Sequence, residues 1–356
     1  MPHSLEQYCL LGRSGLRVSR LSLGTMTFGV AASWGCEKTE AARIFNRYLE
    51  CGGNFIDTAN FYANGGSEQL VGNLLQGQRE RLVVATKYSL TMRPGDPNAS
   101  GNHRKNMVQS VESSLRRLRS DYIDLLYLHV WDNRTPVEEI LRAFDDLVRS
   151  GKVLYIGISD APAWQASRMQ AIAELRGWTP LAALQIPYSL VERTVERDLI
   201  PMAREMGMGV LPWSPLAGGI LSGKYSAGDL ERGPDAIGAG LDTRRDINLA
   251  TGRLTARSLQ IAEVVGAVAQ ELECTPAQLA LAWTLHNPAV TSTLMGVRTL
   301  AQLEDNLRAL DIQLDPEQAA RLDEVSRVEM GFPHELINSP TAHHMFGGVD
   351  VELPGR

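Results

Sequence analysis

Short apolar runs alternate along this chain with longer stretches whose apolar positions recur at helical spacing, a β/α rhythm that continues almost to the end. The runs at 21–23, 54–57, 82–87, 122–129, 153–159, 183–186, 209–212 and 292–295 read as strands. The stretches at 39–51, 67–75, 103–119, 136–150, 163–175, 194–206, 255–273 and 276–286 read as helices. Thr135 before Pro136, with Glu138 and Glu139 in the first turn, is a helix start signal. Eight strands alternating with helices imply a parallel sheet covered by helices. The closed (β/α)8 barrel is the simplest eight-strand solution, and an open doubly wound sheet is the alternative.

Residues 8–19 read as a hairpin turning at Arg13-Ser14-Gly15, placed as a cap on the amino-terminal end of the barrel. The chain then divides into a cap (1–20), a barrel (21–327) and a carboxyl-terminal tail (328–356) set over the active site. Three segments exceed simple connections: 88–102, 217–252 and the tail from Gly331. Long loops on the carboxyl side of a barrel act as lids or binding loops.

Composition narrows the partners. The 356 residues are 44% hydrophobic and 21% charged, ordinary for a chain that buries a sizeable core. The net charge of −6 is spread over interspersed signs, and the basic pairs Arg116-Arg117 and Arg244-Arg245 stand alone, which disfavours nucleic acid and anionic membrane as partners. The first residues lack a basic segment followed by an apolar one, and no run of about 18 apolar residues occurs, so a soluble cytoplasmic protein is expected. Cys9, Cys36, Cys51 and Cys274 are scattered without C-x-x-C spacing and read as reduced thiols. Adjacent His343 and His344 point in different directions, so no metal site is expected.

Four ionisable residues close the early strands or follow them by a few positions: Asp57, Tyr62, Lys87 and His129. Strand alternation turns Phe55 and Asp57 to one face, inward, and Asn54 and Ile56 to the helices. Lys87 ends the next strand, and in a partly dry site its ammonium pairs with Asp57. Tyr62 lies close enough to reach Lys87, and a nearby ammonium favours phenolate, bringing the phenol toward working pH as a general acid. His129 is placed to hydrogen-bond and polarise a substrate carbonyl. These groups move a proton but supply no electrons. No nucleophile elbow is present, and no Gly-x-Gly-x-x-Gly follows the first strand, so the redox partner is external and not held on a Rossmann site. A lyase or isomerase using the same acid and base without nicotinamide is the reading that needs no electron source.

Several further motifs resemble the aldo-keto reductase family, in order, from about residue 10 to residue 325: Gly24-Thr-Met-Thr-Phe-Gly29, Asp57-Thr-Ala-Asn-Phe-Tyr62, Gly151-Lys-Val-Leu-Tyr-Ile-Gly-Ile-Ser159, Gln185-Ile-Pro-Tyr-Ser189, Trp213-Ser-Pro-Leu216 and Gly296-Val-Arg298 through Asn306. The resemblance implies a (β/α)8 barrel that binds NADPH across its carboxyl face, in preference to NADH, and reduces carbonyl compounds by hydride transfer. It makes Tyr62 the proton donor, Lys87 and Asp57 its tuning pair, and His129 the residue that orients the carbonyl. Gly24, Thr25, Met26 and Asp57 fall at cofactor positions, Ser159, Asp160 and Gln185 at those for the nicotinamide carboxamide, and Trp213 at that of the stacking ring. Ser214, Pro215, Leu216, Gly218 and Lys224 match the pyrophosphate stretch, and Gly296, Val297, Arg298, Gln302, Asp305 and Asn306 the adenosine end, with Arg298 toward the 2′-phosphate. Most relatives have Asn where this chain has Asp160. A carboxylate cannot donate to the amide oxygen, and Asp160 is also placed to cap the helix starting near Pro162. Met26, Trp34, Tyr62, His129 and Trp131 are the expected substrate contacts, in a mouth suited to aromatic or bulky carbonyl compounds. The chain also resembles the β-subunits of potassium channels, members of the same family, which implies an NADPH-binding regulatory role and a homo-oligomer as the alternative.

Overall fold

The computed structural model describes residues 4–30, 34–231 and 243–349. Two short strands, β1 (Tyr8–Leu10) and β2 (Arg17–Ser19), pair antiparallel. Eight more follow: β3 (Leu21–Gly24), β4 (Phe55–Asp57), β5 (Val83–Tyr88), β6 (Ile123–Leu128), β7 (Val153–Ser159), β8 (Leu181–Pro187), β9 (Gly209–Trp213) and β10 (Thr293–Gly296). All are parallel, in the order β10-β3-β4-β5-β6-β7-β8-β9. The ring is brought nearly to closure between its ends by the Thr291 N–H, which donates to the Val210 carbonyl at 2.9 Å. The fold is the (β/α)8 barrel, with the open sheet excluded.

Alternation along each strand builds two cores. Phe55, Val83, Ala85, Leu125, Tyr127, Ala183, Leu211 and Leu294 fill the barrel interior. Their neighbours Ile56, Val84, Leu126, Leu128, Leu184 and Val210 face outward into the layer beneath the helices. Side chains at odd and even positions of a strand leave on opposite faces, so short runs that are apolar throughout are what a strand buried on both faces requires. Leu11 and Val18 of the hairpin join the interior cluster. The turn presses on the starts of β8 and β9: the Arg13 N–H donates to the Gly207 carbonyl at 2.9 Å, and a Cβ on Gly12, whose φ is +56°, would stand 2.6 Å from the carbonyls of Ala182 and Gly207. The hairpin thus plugs the amino-terminal mouth and leaves chemistry to the other end.

The outer layer comprises α1 (Lys38–Glu50), α2 (Gly66–Leu74), α3 (Arg104–Leu118), α4 (Val137–Arg149), α5 (Ala163–Arg176), α6 (Leu199–Met206), α7 (Gly228–Glu231), α8 (Arg244–Ala250), α9 (Ala256–Glu271), α10 (Pro276–His286), α11 (Leu300–Leu307) and α12 (Pro316–Ser326). Capping boxes start α9 (Thr255 with Ser258), α10 (Thr275 with Gln278) and α12 (Asp315 with Gln318). Two expectations change. Thr135 does not cap α4: its hydroxyl donates to Asp132 at 2.7 Å, and Pro136 occupies the cap position without a side-chain bond. The helix expected over 194–206 breaks into a 3-10 turn (Thr194–Glu196) and α6, because Pro201 in the first turn cannot have the helix continue back past residue 197 without a clash with that carbonyl.

The 217–252 segment, read as a loop, contains a 3-10 turn (Ala217–Ser222), α7 and α8, with 232–242 outside the described residues. The tail forms α13 (His334–Ile337) and α14 (Pro340–Met345), and its His334 meets Asp198 beside α6 at 3.2 Å. Among the described residues no helix is long and apolar enough to cross a membrane, and no group of His, Cys, Asp and Glu is arranged to hold a metal.

Gly157 on β7 has no side chain because the Tyr127 ring fills that space. A Cβ there would lie 2.6 Å from the ring and 2.9 Å from the Ala183 carbonyl. Gly157→Ala is expected to lower stability by about 1–3 kcal/mol, as overpacking against backbone does, read as a lower urea midpoint at unchanged slope.

Candidate active site

The carboxyl ends of β4, β5 and β6 deliver the first three groups. Asp57 is the last residue of β4 and Lys87 the penultimate one of β5, each with its side chain 1% exposed. Lys87 Nζ donates to Asp57 Oδ1 at 2.5 Å, to the Thr58 carbonyl at 2.9 Å and to Tyr62 Oη at 3.2 Å, using all three ammonium protons. Tyr62 is brought over the rim by a 3-10 turn (Tyr62–Gly65) with Ala63 and Asn64 at positive φ. His129 follows β6, its ring edge-on to Tyr62 with centroids 5.9 Å apart, and its Nδ1 is buried with no protein partner among the described residues. The four residues singled out in the sequence converge on one spot.

Burial is the largest single influence on the ionisation of Tyr62, Lys87 and His129. It raises the Tyr62 phenol above its ordinary value; the Lys87 ammonium opposes this, and the Asp57 and Asp160 carboxylates add to it. This corrects the expectation that Lys87 brings the phenol toward working pH: in the site as it stands the proton is held. Burial alone lowers the Lys87 ammonium, but Asp57 and Tyr62 reverse that and leave it raised. His129 falls from 6.5 to about 3, through burial first and Lys87 second, and is therefore neutral. The site holds a protonated phenol, an ammonium paired to a carboxylate, and an uncharged imidazole.

Next around the rim come β7, β8 and β9. Gln185 Nε2 donates to Asp57 Oδ2 at 2.8 Å, so both Asp57 oxygens are occupied. Ser159 is buried beside it at the end of β7. Asp160 follows at φ +40°, and its Oδ1 accepts the indole N–H of Trp213 at 3.0 Å. It does not cap α5, which begins at Pro162 without a side-chain bond.

Beyond Trp213 the backbone turns through positive φ at Ser214, Ala217, Gly218 and Gly219. A Cβ on Gly218 would strike Asn248 at 2.1 Å, and one on Gly219 would strike Lys224 at 2.8 Å, so only glycine lets this turn wind so tightly. Lys224 and Arg244 are lowered by burial and by mutual repulsion with Arg298, and Arg253 repels Arg244 further. Cations that destabilise one another beside a glycine-rich turn suit a ligand carrying several phosphates. Arg244 and Arg253 are the residues sequence reasoning missed here; the Arg244-Arg245 pair was the available signal, but its approach to Arg298 is set by tertiary folding.

At the adenosine positions, Gln302 accepts the Arg298 backbone N–H at 2.9 Å, below the Thr299 cap of α11. Gly296 and Val297 lead into that turn, and Asn306 is buried behind it. Asp305 accepts from Thr275 at 3.0 Å and Gln278 at 2.6 Å, which commits its carboxylate to the joint between α10 and α11. Thr25 is spent on the Asp57 carbonyl at 2.9 Å and on Ser67, and supports β4 from beneath, next to Gly24.

The mouth is apolar. Met26 and Val130 are each 37% exposed and Phe61 48%, the latter two adjoining His129 and Tyr62 in the chain. Phe61 and Val130 were not read from the sequence, where single apolar residues at a loop carry no distinguishing pattern. Trp131, at 8% exposure, belongs to the helix-side core, and its backbone N–H donates to the Asp160 carbonyl at 3.3 Å. Trp34 packs under the Arg244 guanidinium at 4.4 Å, on the cationic side of the cleft.

A sequence model of the Aldo/keto reductase family matches residues 20–327. The chain is 35% identical to a norsolorinic acid reductase of Aspergillus flavus, over 96% of this chain and 88% of that protein. It is 41% identical to an uncharacterised oxidoreductase of Bacillus subtilis, over 90% of this chain and 95% of the other. A putative aryl-alcohol dehydrogenase of Saccharomyces cerevisiae is 34% identical over 96% and 92% of the two chains.

The neutral imidazole carries a signature in acid. Folded His129 takes up a proton only near pH 3, whereas in the unfolded chain it does so near 6.5, so unfolding gains a proton between those values and stability falls as pH drops through them. His129→Phe is expected to lose part of the decline in melting temperature between about pH 6.5 and about pH 4, measured by calorimetry.

Proposed function

Because the chain belongs to the aldo/keto reductase family and is an oxidoreductase that uses a nicotinamide cofactor, we propose that it reduces an aromatic or bulky aldehyde or ketone to the alcohol with NADPH, reversibly. The observation that carries this reading is the Lys87 ammonium joining Asp57 at 2.5 Å to Tyr62 at 3.2 Å beneath an apolar mouth. Bound NADPH supplies the hydride, which goes to the carbonyl carbon while one proton goes to its oxygen.

Tyr62 is the donor of that proton. Its raised phenol is protonated at neutral pH, and Lys87 stabilises the phenolate left behind. Neutral His129 donates one N–H to the carbonyl oxygen and fixes its direction without adding charge to the site. Asp57 holds Lys87 in place, and Gln185 holds Asp57. Trp213 supplies a flat wall for the nicotinamide, with Ser159, Asp160 and Gln185 around the carboxamide. The turn through Ser214, Pro215, Leu216 and Gly218, with Lys224 and Arg244, meets the pyrophosphate, and Arg298 the 2′-phosphate. Met26, Phe61 and Val130 offer apolar surface to a large substrate, in keeping with relatives named for aryl-alcohol and norsolorinic acid chemistry.

Purified protein mixed with NADPH and a panel of substituted benzaldehydes and aryl ketones is expected to consume nicotinamide absorbance. Tyr62→Phe should lower kcat by about a hundredfold or more while leaving NADPH affinity in place; equal turnover by that variant would remove Tyr62 from the mechanism. Arg298→Ala is expected to weaken NADPH by about tenfold and leave NADH unchanged, the loss of one charge-assisted bond to the 2′-phosphate, read by tryptophan fluorescence titration.

A further inference from the structure

Asp160 is a carboxylate that proton transfer does not need. Around it, Asp57 and Lys87 cancel as an ion pair, His129 is uncharged, and Tyr62 keeps its proton. What remains beside these four is the Asp160 carboxylate, hydrogen-bonded at 3.0 Å to the edge of the Trp213 indole. The cation that approaches from the other side is Arg253, whose guanidinium lies over the Trp213 ring at 5.2 Å. Lys87 acts on Asp160 more strongly than Arg253 does, and Ser159 adds a hydrogen bond.

An asparagine here could accept the indole N–H equally well through its amide oxygen. What aspartate adds is charge beside the indole face on which the nicotinamide ring is placed. The oxidised ring carries a positive charge and the reduced ring none. Both forms carry the same phosphates, so every interaction with Lys224, Arg244 and Arg298 cancels when the two are compared. Resting on the nicotinamide reading above, we infer that Asp160 sets the oxidation-state preference of the site, its carboxylate binding NADP+ more tightly than NADPH. Favouring the oxidised form makes the bound reduced cofactor a stronger hydride donor and makes oxidised cofactor slower to leave. Burial raises Asp160 above the usual carboxylate range, with Trp213, Lys87, Ser159 and Arg253 opposing, so the preference is lost as acid protonates it.

The test is titration of the protein with NADP+ and with NADPH, by calorimetry and by tryptophan fluorescence, in wild type and Asp160→Asn. In wild type the dissociation constants should favour NADP+, and the ratio should shrink as pH is lowered toward the acid limit of the folded protein, where the carboxylate takes up its proton. In Asp160→Asn the ratio should move about tenfold toward NADPH and stay flat over the same range, as expected when a single charge is removed from a partly dry site. If both nucleotides bind but the ratio is the same in the two proteins, the inference falls while the cofactor reading stands. Should neither nucleotide bind the wild type, both fall. If the variant does not fold, the wild-type ratio decides: equal affinity for the two forms, or a preference for NADPH, overturns the inference.

Discussion

A buried ammonium at the end of one strand, held against a buried carboxylate at the end of the next, is the constraint on which this site depends. Neither Lys87 nor Asp57 is stable there as a charge without the other. Removing one partner of such a pair costs about 3–5 kcal/mol, because the other is left ionised in a dry place. The barrel meets this demand by register: Asp57 pairs with Ala85 across β4 and β5, so Lys87 stands two residues further along and reaches back over the rim. The remaining bonds follow. Gln185 fills the second oxygen of Asp57 from the far side of the barrel, and Lys87 spends its last proton on Tyr62.

Because each partner is fully engaged, the polarity of the site is decided by burial rather than by stray charge. The same dryness that holds the proton on Tyr62 holds the proton off His129. These opposite shifts are compatible with one environment because one group gains charge on losing a proton and the other on gaining one. A low-dielectric pocket suppresses both and leaves an acid and a neutral hydrogen-bond donor side by side.

Much of this was legible in the sequence, and the pattern of success is physical. Strands buried on both faces are apolar throughout, so β3 to β10 were located to within a residue or two, and Asp57, Lys87 and His129 stood out as polar residues closing apolar runs. The inward face of Asp57 followed from Phe55 two residues earlier. What failed depended on competing partners that local patterns do not rank. Thr135 has the composition of a helix cap, but Asp132 competes for its hydroxyl. Trp34 lies under Arg244, from a segment about two hundred residues on, a contact that no local pattern shows. The direction of the Tyr62 shift could not be read because burial, its largest cause, is a property of the closed barrel.

The barrel seam sets two parts of the site apart. Neighbouring strands from β10 through β3 and round to β9 are joined by registered parallel ladders, whereas β9 and β10 meet through the bond from Thr291 to Val210 just before β10 begins. The long 217–252 excursion, with its glycine turn and cations, is inserted in the chain between those two strands. Asp57 and Lys87 stand on strands paired on both sides, and Lys224 and Arg244 on the excursion that leaves from the seam. A barrel closed this way joins Asp57 and Lys87 to neighbours on both sides and leaves its seam beside the inserted segment.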